Sequence, residues 1–444
     1  LKKLLTTLIL TLATFLIASF AFNTQHSILL AIIVFLVTLW TNEALPLGVV
    51  SLFPILLFPS FDIMSTSATT ANYSKSIVFL FLGGFMIAIA TQKTDLHKYV
   101  SNKLLTLFPN TPRGIIFSLA ITSAVLSSLI SNTTTALLLI PIAMFLTKDI
   151  KLKIRLVLAI AYGASIGGIL TPIGTPPNLI LLGFMEENNI EPIAFVQWIV
   201  LSLPLVVVML ILIPYVLSLG VNHLKFDTHL EQREHLTKDQ RRLLYILGSL
   251  VLLLFVNSKI EPYYSGLGLN EKGILLGYGL LMFMPKFGFL NWEDTKKIPY
   301  EIIFLFGAGF SIASAFSSTG LANEIANYLL ALTHMPVILL ILLVASLITF
   351  TTEVTSNTAL ISIALPIIYS LGKAANIDVN LILFVSTICA SYAFMLPIAT
   401  PPNAIAMSSG AVKVKDMAKF GLIFNFLGII SITLVALVYW QYYL

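Results

Sequence analysis

Two short polar motifs in an otherwise apolar chain concentrate oxygen atoms within a few residues, and each occurs twice. Ser131-Asn132-Thr133 returns as Ser356-Asn357-Thr358, and Thr171-Pro-Ile-Gly-Thr-Pro-Pro-Asn178 returns as Leu396-Pro-Ile-Ala-Thr-Pro-Pro-Asn403. Hydroxyls, amide oxygens and main-chain carbonyls that converge on one point suit a hard cation. The proline motifs cannot continue a regular helix. The half-helices that result present N–H groups to anions at one end and carbonyls to small cations at the other. Ser127 and Ser131 are spaced i, i+4, as on one face of a helix, and Thr352 and Ser356 copy that spacing. A lone Ser or Thr in a membrane serves to glue helices together; matched pairs of motifs point to a binding site.

The charge of this region narrows the chemistry. Apart from the ends of the segments that carry the motifs, it holds no Lys, Arg or His, and its one ionisable residue is Glu353, beside the second Ser-Asn-Thr. An anion entering it meets only hydroxyls, amides and helix ends, yet a buried bare charge is costly. Sodium ions held by the oxygens would supply the missing positive charge. Glu353 is either a structural acid that caps backbone groups or a group coupled directly to a cation or proton. Gly163-Ala-Ser165-Ile-Gly167 matches a nucleophile elbow, but it lies in a predicted span, and its counterpart Ile388-Cys-Ala-Ser-Tyr392 loses the pattern. It reads as close helix packing. The six His residues fall outside the motif region and in no HExxH, and the single cysteine, Cys389, excludes a disulfide framework or a CxxC site. With no nucleophile–base pair at mid-depth, an intramembrane enzyme and a resident cofactor are both disfavoured. A channel is the other rival to a carrier.

The elements that hold these residues are membrane spans. The chain has 444 residues, of which 58% are hydrophobic and 10% charged, with a mean hydropathy of +0.96; soluble domains carry about 25% charged residues. The partner is therefore a lipid bilayer, not nucleic acid. The apolar run Leu4–Phe22 after Lys2 and Lys3 lacks a small-x-small cleavage site and reads as a retained first span. Both polar motifs, together with Phe79–Phe85 against Phe304–Phe310 and Pro141 against Pro366, recur at one ungapped offset of 225. The chain is thus two homologous halves with extra N-terminal spans.

Charge orients the halves. Lys93, Lys98, Lys103 and Arg113 have no basic counterpart in 318–338; Lys148, Lys151, Lys153 and Arg155 are answered only by Lys373. Lys and Arg stay cytoplasmic, so matched loops lie on opposite sides and the repeat is inverted. Segment 114–147 then leaves and returns to one side with 34 residues, fewer than the roughly 40 that two full spans need. It is read as a re-entrant hairpin tipped by Ser131-Asn132-Thr133, and 339–372 as its partner from outside. Broken spans run over 156–184 and 381–409. The full expectation is an all-α fold of eleven spans (4–21, 27–41, 45–61, 77–92, 156–184, 194–218, 243–257, 273–289, 300–317, 381–409, 419–442) and two hairpins. Residues 1–76 are scaffold spans, 77–219 the first repeat, 220–299 a linker with scaffold spans, and 300–444 the second repeat. The N-terminus is cytoplasmic, the C-terminus external, and 220–242, with Lys225, Arg233, Lys238, Arg241 and Arg242, is a solvated cytoplasmic linker.

From about residue 40 to the C-terminus these doubled motifs closely resemble the divalent anion/sodium symporter (DASS) family, which includes bacterial INDY-type dicarboxylate transporters. The resemblance implies a homodimer in the cell (inner) membrane, each protomer having a fixed scaffold and a transport domain that moves as an elevator. It implies one sodium ion at Ser127, Ser131, Asn132 and Gly174, and a second at Thr352, Thr355, Asn357 and Ala399. Substrate carboxylates would meet Asn132, Thr133, Asn357 and Thr358, with Thr175, Pro176, Thr400 and Pro401 beside them. Sodium is then co-transported with succinate, malate, fumarate, 2-oxoglutarate or citrate, among which, with sulfate, the motifs do not choose. A sodium-independent dicarboxylate exchanger of the same fold is the alternative.

Overall fold

Backbone N–H and C=O groups in hydrocarbon must be satisfied within their own segment, which favours helices throughout. The computed structural model describes residues 2–42, 44–105, 107–224, 235–258, 264–329 and 335–444, and among them the regular structure is helical, with no strand. Seven of the described helices are long and apolar enough to cross a membrane. Large side chains such as Ile17, Phe145 and Val438 stand 71%, 84% and 73% exposed, the outward apolar surface that a bilayer would cover.

Both hairpins form. Helices Pro112–Ser127 and Asn132–Phe145 make the first, Val337–Thr352 and Asn357–Ala374 the second. The broken spans appear as Ile150–Ile169 followed by Pro176–Glu187, and Val379–Cys389 followed by Pro401–Ser408. Helix starts at 112 and 337, 132 and 357, and 176 and 401 keep the offset of 225. Phe81 and Phe306, equivalent at that offset, stack on each other with centroids 4.4 Å apart.

Contacts sort the loops into two ends. Lys93 pairs with Asp294 at 2.5 Å, Gln240 Nε2 donates to the Thr94 carbonyl at 3.1 Å, and Arg113 lies 5.2 Å from the Tyr215 ring. Arg155 sits 3.8 Å over Phe420 at that same end. At the other end Lys75 pairs with Glu187 and Lys272 with Glu186, each at 2.8 Å. A small cavity of about 230 Å³ there brings Asn188, Ser317 and Lys373 together. The helix pair that opens at Pro112 thus starts at the Arg113 end, and the pair that closes at Ala374 finishes at the Lys373 end.

Two expected spans are shorter than their apolar runs. Segment 45–61 is divided into Leu47–Val50 and Phe53–Ser60, with Pro54 in the first turn of the second piece, where its missing N–H costs nothing. Segment 273–289 gives the helix Glu271–Leu281 and then turns, with the Phe289 and Leu290 N–H groups both on the Met282 carbonyl. Pro285 bars continuation, and Lys286 adopts a positive φ of 70°. The elbow-like glycines pack as expected: a Cβ on Gly163 or Gly167 would stand 2.5 or 2.2 Å from the carbonyl oxygen of Ala120 or Ala124. Of the linker's basic residues, Lys225 and Arg233 lie outside the described residues.

Candidate functional site

The two hairpin tips share one construction. The first helix ends at Ser127, a short turn follows, and Ser131 caps the next helix by accepting the Thr134 N–H at 3.2 Å. Ser127 Oγ donates to Asn132 Oδ1. In the second hairpin the helix ends at Thr352, and Ser356 stands at the N-cap position before Asn357. Thr352 Oγ1 lies 2.6 Å from Asn357 Oδ1 and 3.0 Å from the Ala390 carbonyl, its one proton shared between two acceptors.

This corrects the expected pairing of hydroxyls on one helix face. Ser127 and Ser131, like Thr352 and Ser356, sit on opposite sides of a turn, because the chain leaves the helix between them to free Ser131 and Ser356 for the next N-terminus. The partner that Ser127 and Thr352 each reach is the Asn five positions on. Both hydroxyl residues are fully buried behind the asparagines.

The broken segments add two more helix starts. Thr175 and Thr400 are the N-caps, with Pro176 and Pro401 in the first turn, where a missing N–H costs nothing. Four helix N-termini therefore open on one region, at Asn132, Pro176, Asn357 and Pro401. They face a cavity of about 1360 Å³. From the first half Ser131, Asn132, Thr133, Gly174, Thr175 and Pro176 line it; from the second, Thr355, Asn357, Thr358, Ala399, Thr400 and Pro401 do. Thus every expected site residue lines this space except Ser127 and Thr352, which hold the asparagines from behind.

The electrostatics follow from the lining. Among the described residues its ionisable members are Lys3 and Glu301, both exposed and both from helix ends toward Lys93 and Asp294. Deeper in, positive potential comes from helix N-termini and negative potential from carbonyls and hydroxyls. Such a lining can take an anion and small cations together.

Four contributors lay outside the expected set. Asn178 Nδ2 donates to the Gly168 and Thr171 carbonyls at 3.0 and 2.8 Å, and Asn403 Nδ2 to those of Ala393 and Leu396 at 2.8 and 3.1 Å. They brace the breaks from within. The signal was available, since each ends a Thr-Pro-Pro-Asn motif. Gly168 lies so close that a Cβ there would be 3.0 Å from Asn132 Oδ1 and 3.3 Å from the Gly174 carbonyl. Glu353, 3% exposed, accepts from three backbone N–H groups and Asn425, the arrangement of an acid that caps backbone.

With this geometry in place, the likenesses to known proteins can be weighed. The citrate transporter (CitMHS) family model matches residues 33–389. The sodium-dependent dicarboxylate transporter SdcS of Staphylococcus saprophyticus is 30% identical over 442 residues, covering 91% of this chain and 84% of that protein. The protein of that name from Staphylococcus aureus is 32% identical over 441 residues with the same coverage. Among solved structures, MtrF of Neisseria gonorrhoeae aligns with a TM-score of 0.62 at 13% identity over 94% of this chain and 95% of its own. The YdaH transporter of Alcanivorax borkumensis gives 0.59 at 14% over 84% and 87%. At such low identity these two speak to the fold alone.

Proposed function

The chain belongs to the citrate transporter family, among the divalent anion/sodium symporters, and from that premise we infer that this multi-pass membrane transporter imports di- or tricarboxylates by sodium-coupled symport. The observation that carries the reading is the cavity itself. Both hairpin tips and both helix breaks line it, and among the described residues Lys3 is the one Lys, Arg or His in its lining. A dianion there is left with helix N-termini and amides, so bound sodium lowers the burial cost and links the two solutes thermodynamically.

Ser127, Ser131, Asn132 and Gly174 would hold one sodium ion, and Thr352, Thr355, Asn357 and Ala399 the other. Asn132 and Asn357, with Thr133 and Thr358, would meet the carboxylates; Thr175, Pro176, Thr400 and Pro401 would close the sides. Each asparagine belongs to both sets, which couples ion to substrate through one side chain. Hairpins and broken segments (within 77–219 and 300–444) form the moving domain; 1–76, 220–299 and the spans 76–93 and 300–319 form the scaffold. The basic end, with Lys93, Arg113 and Arg155, is cytoplasmic by the positive-inside rule, so the N-terminus is inside, the C-terminus outside, and the cavity opens inward. A homodimer in the cell membrane completes the reading.

The deciding experiment is uptake of labelled succinate, malate, fumarate, 2-oxoglutarate and citrate into proteoliposomes, in sodium and in choline buffer at fixed pH and membrane potential. Sodium-dependent uptake of at least one is expected. Equal rates in both buffers, with strict dependence on internal dicarboxylate, would identify the exchanger instead.

A further inference from the structure

The two broken segments are unequal, although they derive from one repeat. The first stays helical to Ile169 and restarts at Pro176; the second stops at Cys389 and restarts at Pro401. At the offset of 225, Ile169 answers to Phe394, so the stretch Ala390 to Phe394 is unwound where its counterpart is helix. A buried segment that leaves a helix loses the acceptors its N–H groups had. Some other group must replace them.

Glu353 does so. Its Oε1 accepts the Phe394 N–H at 2.7 Å and the Met395 N–H at 2.9 Å; its Oε2 accepts from Leu396 at 3.0 Å. Asn425 Nδ2, on the helix Val414–Val435, adds a fourth donor at 2.7 Å. These partners are all N–H groups, the surroundings of an ionised carboxylate. Asn403 grips the same segment by its carbonyls, at Ala393 and Leu396. The first half has Ser128 in the place of Glu353, whose carbonyl accepts Thr171 Oγ1 at 2.6 Å. No charge is used there, and none is required, because the helix satisfies itself.

The unwound segment carries the second cation site. It begins at Ala390, whose carbonyl stands 3.0 Å from Thr352 Oγ1, and it ends at Ala399 and Thr400 on the cavity wall. We propose that Glu353 is a positioning residue for the second cation site alone: it ties hairpin two, the unwound segment and the last long helix into one unit and so fixes Ala399 against Thr352 and Asn357. The inference rests on the sodium-symport reading and deepens it, since it makes the two ion sites differ in how they are built.

The test is succinate uptake by proteoliposomes as a function of external sodium at fixed potential, for the wild-type protein, Glu353→Gln and Asn425→Ala. Gln keeps the shape but turns an NH2 group toward N–H donors. Glu353→Gln is expected to need roughly tenfold more sodium for half-maximal uptake, while the succinate concentration for half-maximal uptake at saturating sodium changes little. Asn425→Ala, which leaves Glu353 its three backbone donors, shifts the sodium curve the same way by less. A folded Glu353→Gln protein with a lower maximal rate and an unshifted sodium curve is merely damaged, and that result overturns the proposal. If Glu353→Gln does not fold, an unshifted Asn425→Ala curve overturns it equally. Wild-type uptake that is the same in choline would sink the sodium reading itself, which is distinguishable from an unshifted variant on a sodium-dependent background.

Discussion

Asn132 and Asn357 are the residues on which the site turns, and their placement is a packing problem as much as a chemical one. Each opens a helix at a hairpin tip, and each has its side-chain oxygen held by a buried hydroxyl, Ser127 or Thr352. On the first half a glycine completes the arrangement. A Cβ on Gly168 would sit 3.0 Å from Asn132 Oδ1 and 3.3 Å from its Nδ2, so a side chain there would press the amide and the neighbouring Gly174 carbonyl aside by a few tenths of an ångström. Gly168→Ala is therefore expected to displace the Asn132 amide and reduce succinate uptake nearly as far as Asn132→Ala does. Thermal unfolding of the purified protein should change little, because alanine suits the helix better than glycine by about 1 kcal/mol, offsetting part of the clash. Uptake by Gly168→Ala within twofold of wild type would show that the amide is not placed by this contact. The types and doubling of these residues were legible in the sequence. Their partners were not: i, i+4 spacing suggested that Ser127 faces Ser131, and only the turn between them redirects it to Asn132.

At the scale of elements, the breaks are what make the cavity polar, and the asparagines that end the two proline motifs keep them open. Asn403 Nδ2 bridges the Ala393 and Leu396 carbonyls, as Asn178 Nδ2 bridges those of Gly168 and Thr171. Both asparagines are fully buried. Replacing Asn403 by Leu keeps the volume but leaves two carbonyls without that donor, at about 1–3 kcal/mol for each group left unsatisfied. The expected result is a melting temperature several degrees lower in detergent, larger than for Leu at Asn188, which lies outside the break. An unchanged melting temperature would mean that the carbonyls find other donors. The polar and proline interruptions of the apolar runs could be read from the sequence, and helices begin or end at each of them. Segments 45–61 and 273–289 could not, since hydropathy reports burial in lipid or protein alike.

For the whole molecule, the arrangement of charge at the two ends suggests how one state is held. The cavity opens toward Lys3 and Glu301, whereas the opposite end is closed by ion pairs between the helix Pro176–Glu187 and its surroundings. Lys75 Nζ lies 2.8 Å from Glu187, and Lys272 Nζ 2.8 Å from both Glu186 and Ser76 Oγ. Ser314 Oγ donates to Glu187 as well. In the elevator reading that helix travels with the substrate, while Lys75, Ser76, Lys272 and Ser314 stay with the scaffold, so these contacts exist only while the cavity opens inward. They lie partly in solvent, and each pair contributes about 0.5–1 kcal/mol. Neutralising both lysines should then move the inward–outward ratio by roughly fivefold to thirtyfold. Ile398 reports the change, being 72% exposed on the cavity wall. With Cys389 replaced by Ser and a single cysteine placed at 398, an impermeant thiol reagent should label inside-out vesicles quickly and intact cells slowly. Adding Lys75→Gln and Lys272→Gln should raise the rate in intact cells by that factor. The same rate from outside, with or without the lysines, would show that these pairs do not hold the inward-open state and that packing alone sets the balance.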